Sequence, residues 1–245
     1  MTYVNQLIII KLRYLKKRSI GGINLRISKD PEERKNELID TAEELFSTVG
    51  YDKTSVSDIV KKVSVAQGTF YYYFKSKEDI FMAIFTRNSE KLLLEMKEKV
   101  KEKNINAVEK LMIVIKLYIE SKEDSAGSKH KIVETLHNDE NTSLHHKIIV
   151  EEIVTKRSML TSIIKQGIAE GIFHTDYPEE AAEFILTELY FVFDPEVFGF
   201  SNEEIFKKSE ALADMVEKLL SVPRGTFMSK IVQLKESYSK NITNL

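Results

Sequence analysis

Between Thr54 and Lys77 the stretch TSVSDIVKKVSVAQGTFYYYFKSK gathers side chains able to hydrogen-bond a polyanion. Gln67, Thr69, Tyr71 and Tyr72 supply an amide, a hydroxyl and two phenols. Lys75 and Lys77 follow as cations, and the next acid is Glu78. Amide and hydroxyl groups match base edges, whereas ammonium and phenol groups match phosphate oxygens. A water-facing helix surface ordinarily carries Glu, Lys or Ala instead.

Two short helices across a tight turn would position these groups. Ser55 caps the first, with Asp58 three residues on, and Val56, Ile59, Val60 and Val63 recur at helical spacing to give it one apolar face. Val63-Ser64-Val65 forms the turn. The second helix starts near Gln67, holds Phe70, Tyr73 and Phe74 on one side, and so turns Gln67, Thr69, Tyr71 and Tyr72 outward. An aromatic run that merely fills a core would leave the capping, the spacing and the basic residues without a common explanation.

Those residues carry a resemblance. Thr54, Ser55, Asp58, Ile59, Gly68, Thr69, the run Phe70 to Phe74 and Lys75-Ser76-Lys77-Glu78 resemble the helix-turn-helix of the TetR family of bacterial transcriptional repressors, and the similarity extends from Pro31 to about Phe85. The sequence departs from the family at Ser64, where a turn glycine is common, and at Ala66-Gln67, where Ser-Lys is common. Both departures bear on base preference. The expected DNA-contacting set is Thr54, Ser55, Gln67, Gly68, Thr69, Tyr71, Tyr72, Lys75 and Lys77. Lys77 and Tyr71 are assigned to phosphates, Gln67, Thr69 and Tyr72 to bases or nearby backbone, and Thr54 and Ser55 to a phosphate at a helix N-terminus.

Composition agrees with an all-α chain. The 245 residues include nine Gly, four Pro and no Trp, with 30% charged and 42% hydrophobic residues, which suits helices better than a turn-rich sheet protein. The expected division is a basic arm (1–30), a helix-turn-helix domain (31–78) and a helical effector-binding and dimerisation domain (79–245). With no Cys there are neither disulfides nor thiolate metal sites, which is compatible with a reducing cytoplasm. The net charge of −2 makes any DNA contact local. No apolar run approaches the ~18 residues that span a bilayer, so no membrane partner is expected.

Residues 1–29 carry Lys11, Arg13, Lys16, Lys17, Arg18, Arg26 and Lys29 with no acid. The arm reads as a DNA-touching extension, as a helix packed through Leu7, Ile10 and Tyr14, or as sequence upstream of the functional start. Asp30-Pro31-Glu32-Glu33 starts the first domain helix, whose stripe Leu38, Ala42, Leu45, Phe46 and Val49 ends at Gly50. Ser76 caps a long fourth helix. Asn104 to Ser121 is apolar nearly all round, and Ser121 to Ser128 reads as a polar loop. A short and a long helix fill His130 to Ala169, broken near Asn138 to Ser143. Helices follow at about 179–193 and 202–221 with Asp194-Pro195 between them, then an amphipathic segment from Thr226 to Tyr238. The GIAEGIF stretch resembles the corresponding turn of the family's regulatory domains.

Enzyme signatures are missing: the sequence holds no GxGxxG, GxxxxGK[ST], HExxH or GxSxG, and no cofactor is expected. His137, His145 and His146 flank a loop, but adjacent helical residues point about 100° apart, so a metal site is disfavoured. Phe85, Met96, Met112, Tyr118, Met159, Glu188 and Phe191 are the candidates for an effector pocket, with ordinary core as the alternative for each; Glu188 in it would favour a cation. Phe184, Ile185, Leu189, Leu212, Met215 and Leu219 are the candidates for a homodimer interface. The resemblance implies a cytoplasmic repressor of a palindromic, double-stranded operator that a small hydrophobic or cationic effector releases. A protein-interaction module and an enzyme are the competing classes.

Deleting residues 1–28 should leave the melting temperature and dimerisation intact and lower DNA affinity, with a shallower dependence on salt, if the six cations it removes meet phosphate. Loss of stability with an unchanged salt slope would instead make the arm a packed helix.

Overall fold

Asp30 opens the first helix by accepting the Glu32 N–H on its carboxylate at 2.9 Å, and Pro31 takes the first helical position, where a missing N–H is harmless. In the computed structural model, which describes residues 30–102, 104–128, 132, 135–136 and 141–231, this helix is α1, Pro31–Thr48. It is followed by α2 (Val56–Val63), α3 (Gln67–Tyr73), α4 (Lys77–Lys99), α5 (Ala107–Ser128), α6 (Thr142–Ala169), α7 (Pro178–Thr187), a π-helical turn (Glu188–Val192), α8 (Pro195–Phe198) and α9 (Asn202–Leu219). All regular structure among the described residues is helical, as expected. The basic arm, His137, most of the short helix after His130 and the C-terminal part of the last amphipathic segment lie outside the described residues. The chain divides into Met1–Lys35, which contributes only the opening of α1, and Asn36–Leu245, to which all that follows belongs.

That second unit has two apolar clusters. One, the head, joins Leu38, Ala42 and Phe46 of α1 to Ile59 of α2, Phe70 and Phe74 of α3, and Ile80, Phe81 and Ile84 of α4. Its centre is a triangle of rings, with Tyr51 4.7 Å from Phe81 and 5.2 Å from Phe46. The other, the body, collects Leu93 and Met96 of α4 with α5, α6, α7 and α9. The division expected after residue 78 therefore falls inside a continuous helix whose first turns belong to the head and whose last turns belong to the body.

Three local readings need correction. First, α5 begins at Ala107 because Asn106 and Glu109 cap each other, N–H to side chain at 3.0 Å in both directions. Second, it runs on to Ser128 where a polar loop was expected, since a charged run without Pro is compatible with helix. Third, the helix expected over 179–193 ends at Thr187 and widens into the π turn. There the buried Tyr118 hydroxyl donates to the Leu189 carbonyl, a bond that a regular α ladder would contest.

The GIAEGIF turn has a direct physical basis. Gly171 adopts φ +69°, and the N–H groups of Ile172 and Phe173 both return to the Gly167 carbonyl, at 2.9 and 3.0 Å. Phe173 is thereby laid on Gly167, where a Cβ would stand 2.1 Å from the ring. After α9, buried Glu217 accepts the N–H groups of Gly225, Phe227 and Met228 at 2.8, 2.8 and 3.1 Å, fixing Phe227 in the body core.

Gly167→Ala should destabilise by about 1–3 kcal/mol, because an interior ring must move to admit the methyl group. Gly171→Ala meets open space and should lose about 1 kcal/mol through its backbone alone. Urea denaturation of the two variants measures the difference.

Candidate nucleic-acid interface

Ser55 and Asp58 form the expected capping box. Ser55 Oγ accepts the Asp58 N–H at 3.2 Å, while the Asp58 carboxylate accepts the Ser55 hydroxyl and N–H at 2.5 and 2.9 Å. Those two hydrogen bonds, the side-chain one first, hold the Asp58 carboxyl below its ordinary range. At the other end of α2, Ser64 takes φ +61°, and Val65 N–H returns to the Val60 carbonyl at 3.0 Å. A serine thus sits in the left-handed region that glycine fills without strain, at a cost of about 1 kcal/mol. The turn then aims α3 away from α2.

On α3, Phe70 and Phe74 are buried and Tyr73 is half-buried, so the helix is pinned by one face. The opposite face presents Gln67, Gly68, Tyr71 at 53% exposure and Tyr72 at 78%, with Thr69 half-buried at the border and Lys75 exposed just beyond. Gln67 with Tyr71, and Gly68 with Tyr72, are four residues apart and so stack along one surface. Gly68 stands out. Its φ is not positive, and a Cβ built on it would meet nothing within 4 Å, so nothing within the chain requires glycine there. Glycine inside a helix costs about 1 kcal/mol against alanine. That cost has a use where an external backbone approaches closely.

Two expected phosphate contacts change role. Thr54 is 2% exposed, and its hydroxyl donates to the Gly50 carbonyl at 2.7 Å, so it locks the bend after α1. Lys77 donates to the Tyr51 carbonyl at 2.8 Å and lies 4.1 Å above the Tyr51 ring. Burial pushes its pKa down, with Asp52 opposing. It ties the start of α4 to the loop before α2. Ser55 remains exposed but its hydroxyl is engaged in the cap.

The candidate effector residues do not converge. Met96, Met112, Tyr118 and Met159 are filled core positions of the body, whereas Phe85 packs on the head cluster. Phe191 is an exposed ring edge-on to Phe198 at 5.6 Å, and Glu188 is half-exposed in the π turn. Only Met159 among the seven lines the cavity of about 310 Å³ bounded by α4, α5 and α6. Of the candidate dimer residues, Ile185, Leu189 and Leu212 are buried within their own subunit, because they form the inner stripe of α7, the π turn and α9. Phe184 and Met215 are exposed, and Leu219 is half-buried. His145 pairs with Asp194 at 3.3 Å, and among the described residues no group of three or more His, Asp or Glu side chains converges as a metal site.

How α4 joins its two neighbours depends on partners too far apart in the chain for spacing to show. Arg87 reaches Asp40 at 2.5 Å and Glu43 at 2.6 Å on α1, and Asn88 reaches Glu43 at 3.2 Å. The next residue, Ser89, accepts Lys156 of α6 at 2.7 Å. Lys156 is fully buried, pairs with Glu152, and stands 5.2 Å from the Tyr190 ring centre. Three consecutive residues of α4 therefore contact α1 on one side and α6 on the other.

Comparison with known proteins gives a consistent result. Residues 38–84 match the family model "Bacterial regulatory proteins, tetR family", and residues 125–215 match "Tetracyclin repressor-like, C-terminal domain". The chain is 33% identical over 136 residues to the fatty acid metabolism regulator protein of Bacillus subtilis (strain 168), covering 55% of this chain and 68% of that protein. It is similar to the fatty acid degradation regulator FadR of Bacillus halodurans, with 26% identity, TM-score 0.51, 79% of this chain and 96% of that one. It is also similar to FadR of Bacillus subtilis in complex with stearoyl-CoA, with 26% identity, TM-score 0.51, 77% of this chain and 99% of that one.

Gly68→Ala should raise stability by about 0.5–1 kcal/mol in denaturant and weaken DNA binding in fluorescence anisotropy. Lys75→Ala should lower affinity on every sequence and flatten the salt slope by about one contact. Lys77→Ala should chiefly lower the melting temperature. Unchanged affinity in Gly68→Ala would remove this face from the interface.

Proposed function

The chain belongs to the tetR family of bacterial regulatory proteins, DNA-binding transcriptional regulators, and from that membership we propose that it is a dimeric, ligand-responsive repressor of a palindromic operator. The observation that carries the reading is the exposed face of α3, polar and aromatic, with a glycine that its own chain does not need. Gln67, Tyr72 and Thr69 would read bases or nearby backbone, while Tyr71, Lys75 and the α2 terminus at Ser55 would meet phosphates. One seven-residue helix reaches too few base pairs for tight specific binding, so two copies would engage half-sites about 34–36 Å apart. Exposed Phe184 and Met215, with Leu219, are the residues we assign to the contact between copies. No helix among the described residues is long and apolar enough to cross a membrane, and a repressor's work on the chromosome places it in the cytoplasm.

The effector acts through α4. A ligand that favours another seating of α6 would shift Lys156 and with it Ser89, and Arg87 and Asn88 would carry the displacement to α1. Coupling of about 1–3 kcal/mol would change operator affinity some 5- to 150-fold. The FadR relatives support fatty-acyl compounds as the first effector class to try, and stearoyl-CoA, which the Bacillus subtilis protein holds, is the first test compound.

Footprinting on genomic fragments, beginning with the protein's own upstream region, should reveal a preferred palindrome; uniform weak binding would overturn the reading. Ser89→Ala should fold with a loss of about 1.5–3 kcal/mol and keep operator affinity, but respond to effector less than about fivefold. A full response in that variant would remove the α4 route.

A further inference from the structure

The cavity of about 310 Å³ lies among the C-terminal end of α4, the start of α5 and the middle of α6. Val100, Met159 and Ile163 give it an apolar lining, and Lys97 and Lys110 give it charge. Lys110 is only 9% exposed. Unlike Lys156, the other buried lysine, it has no carboxylate or hydroxyl on its ammonium among the described residues. Its stem is packed, while its ammonium stays within reach of solvent at the cavity. No carboxylate lines the cavity among the described residues. The carboxylate beside Gln166, Glu170, is already occupied by the Gln166 amide at 2.5 Å and the Ala107 N–H at 2.9 Å. Ser162 is likewise committed, donating to the Ser158 carbonyl at 2.8 Å. The two lysines are therefore the charged groups that remain to meet a ligand, Lys110 with a packed stem and Lys97 exposed at the mouth.

We propose that this cavity binds a small organic anion, a carboxylate or phosphate on a short apolar body, with Lys110 as its counter-charge and Lys97 as a second contact. The anion meets the two ammonium groups of a cavity lined by no carboxylate among the described residues, and its apolar body lies against Val100, Met159 and Ile163. The volume is at the lower end of the range for small-molecule sites, which selects compact ligands. This site reverses the charge preference expected from Glu188, which lies elsewhere in the π turn. Because Lys97 and Val100 sit at the end of α4 and Met159 and Ile163 on α6, occupancy bears on the same pair of helices that Lys156 joins. That consequence rests on the effector reading above; binding itself does not.

The test is titration calorimetry of the full chain with four matched probes: octanoate, octyl phosphate, octanol and octyltrimethylammonium. At least one anion should bind about tenfold or more tighter than octanol, and the cation not at all, as expected for a charge-assisted contact. Octanoate against octyl phosphate decides the head group. Lys110→Met keeps the stem and removes the charge, so it should abolish the anion preference while the melting temperature holds or rises; Lys110→Arg should retain the preference. Lys97→Met should weaken anion binding about threefold or more, as a rim contact does, and serves if Lys110→Met fails to fold. Equal binding of octanol or the cation, or an anion preference unchanged in both methionine variants, overturns the site. Operator affinity is followed with the same probes. Anion binding that depends on Lys110 but leaves operator affinity unchanged keeps the site and removes its link to release. Release by a compound whose binding ignores Lys110→Met keeps the effector reading and overturns this site as its location.

Discussion

Two helices, α4 and α6, each serve both hydrophobic cores, and the buried ammonium of Lys156 is where they are fastened together. Without Glu152 and Ser89 the charge would be untenable inside the protein; with them it fastens α6 to the middle of α4. Removing one partner of such a pair costs about 3–5 kcal/mol, because the other charge is left buried alone. The surrounding phenols are fixed in their neutral form. Burial, then the Glu152 carboxylate, pushes Tyr190 well above its ordinary pKa, and burial followed by Asp194 does the same to Tyr118. Tyr118 therefore stays a donor, and its bond to the Leu189 carbonyl keeps the π turn open. The two rings meet edge-on at 4.8 Å, so the lysine site and the π turn share one wall.

What could be read in the sequence was whatever is specified within a turn or two of chain. The Ser55–Asp58 box, the stop at Gly50, the pinned and free faces of α3 and the Gly167–Phe173 turn all involve partners at most about six residues apart. Partners far apart in sequence were hidden. Glu188 stands in an apolar run, yet the π turn leaves it half-exposed. The buried acids are Glu217, closed by three N–H groups eight to eleven residues on, and Asp194, paired with His145. Thr54 and Lys77 show the same limit on the DNA side. Their types suit phosphate, but the Gly50 and Tyr51 carbonyls claim them first.

Local strain in the head concentrates where the interface lies. Ser64 in the left-handed region and Gly68 in mid-helix each give up about 1 kcal/mol of backbone stability. The ring triangle of Phe46, Tyr51 and Phe81 stands a few residues away and offsets them, as offset or edge-on aromatic pairs add about 0.5–1.5 kcal/mol each beyond burial. A rigid base is thus built behind a presentation surface that its own folding does not need.

The placement of apolar residues along α4 decides where it can bend its loyalty from head to body. Ile80, Phe81 and Ile84 are sealed in the head, Leu93 and Met96 in the body, and between Ile84 and Leu93 only Ser89 is buried. A pivot at that point separates the two cores at the least loss of buried apolar surface, since the intervening residues are polar or half-exposed. What it must break is the hydrogen bond from Lys156, the Lys147–Glu78 pair at 2.8 Å and the seating of Leu144 and Ile148 of α6 in the head core. A bond to a charged group is worth about 1.5–3 kcal/mol, close to the 1–3 kcal/mol typical of coupling between sites. The Arg87 pairs to α1 are partly exposed and individually weaker, but they act together with the apolar seal of the head, so the head moves as a unit with the first half of α4. The resistance to moving it is then shared between the hydroxyl of Ser89 and the apolar side chains that α6 buries in the head.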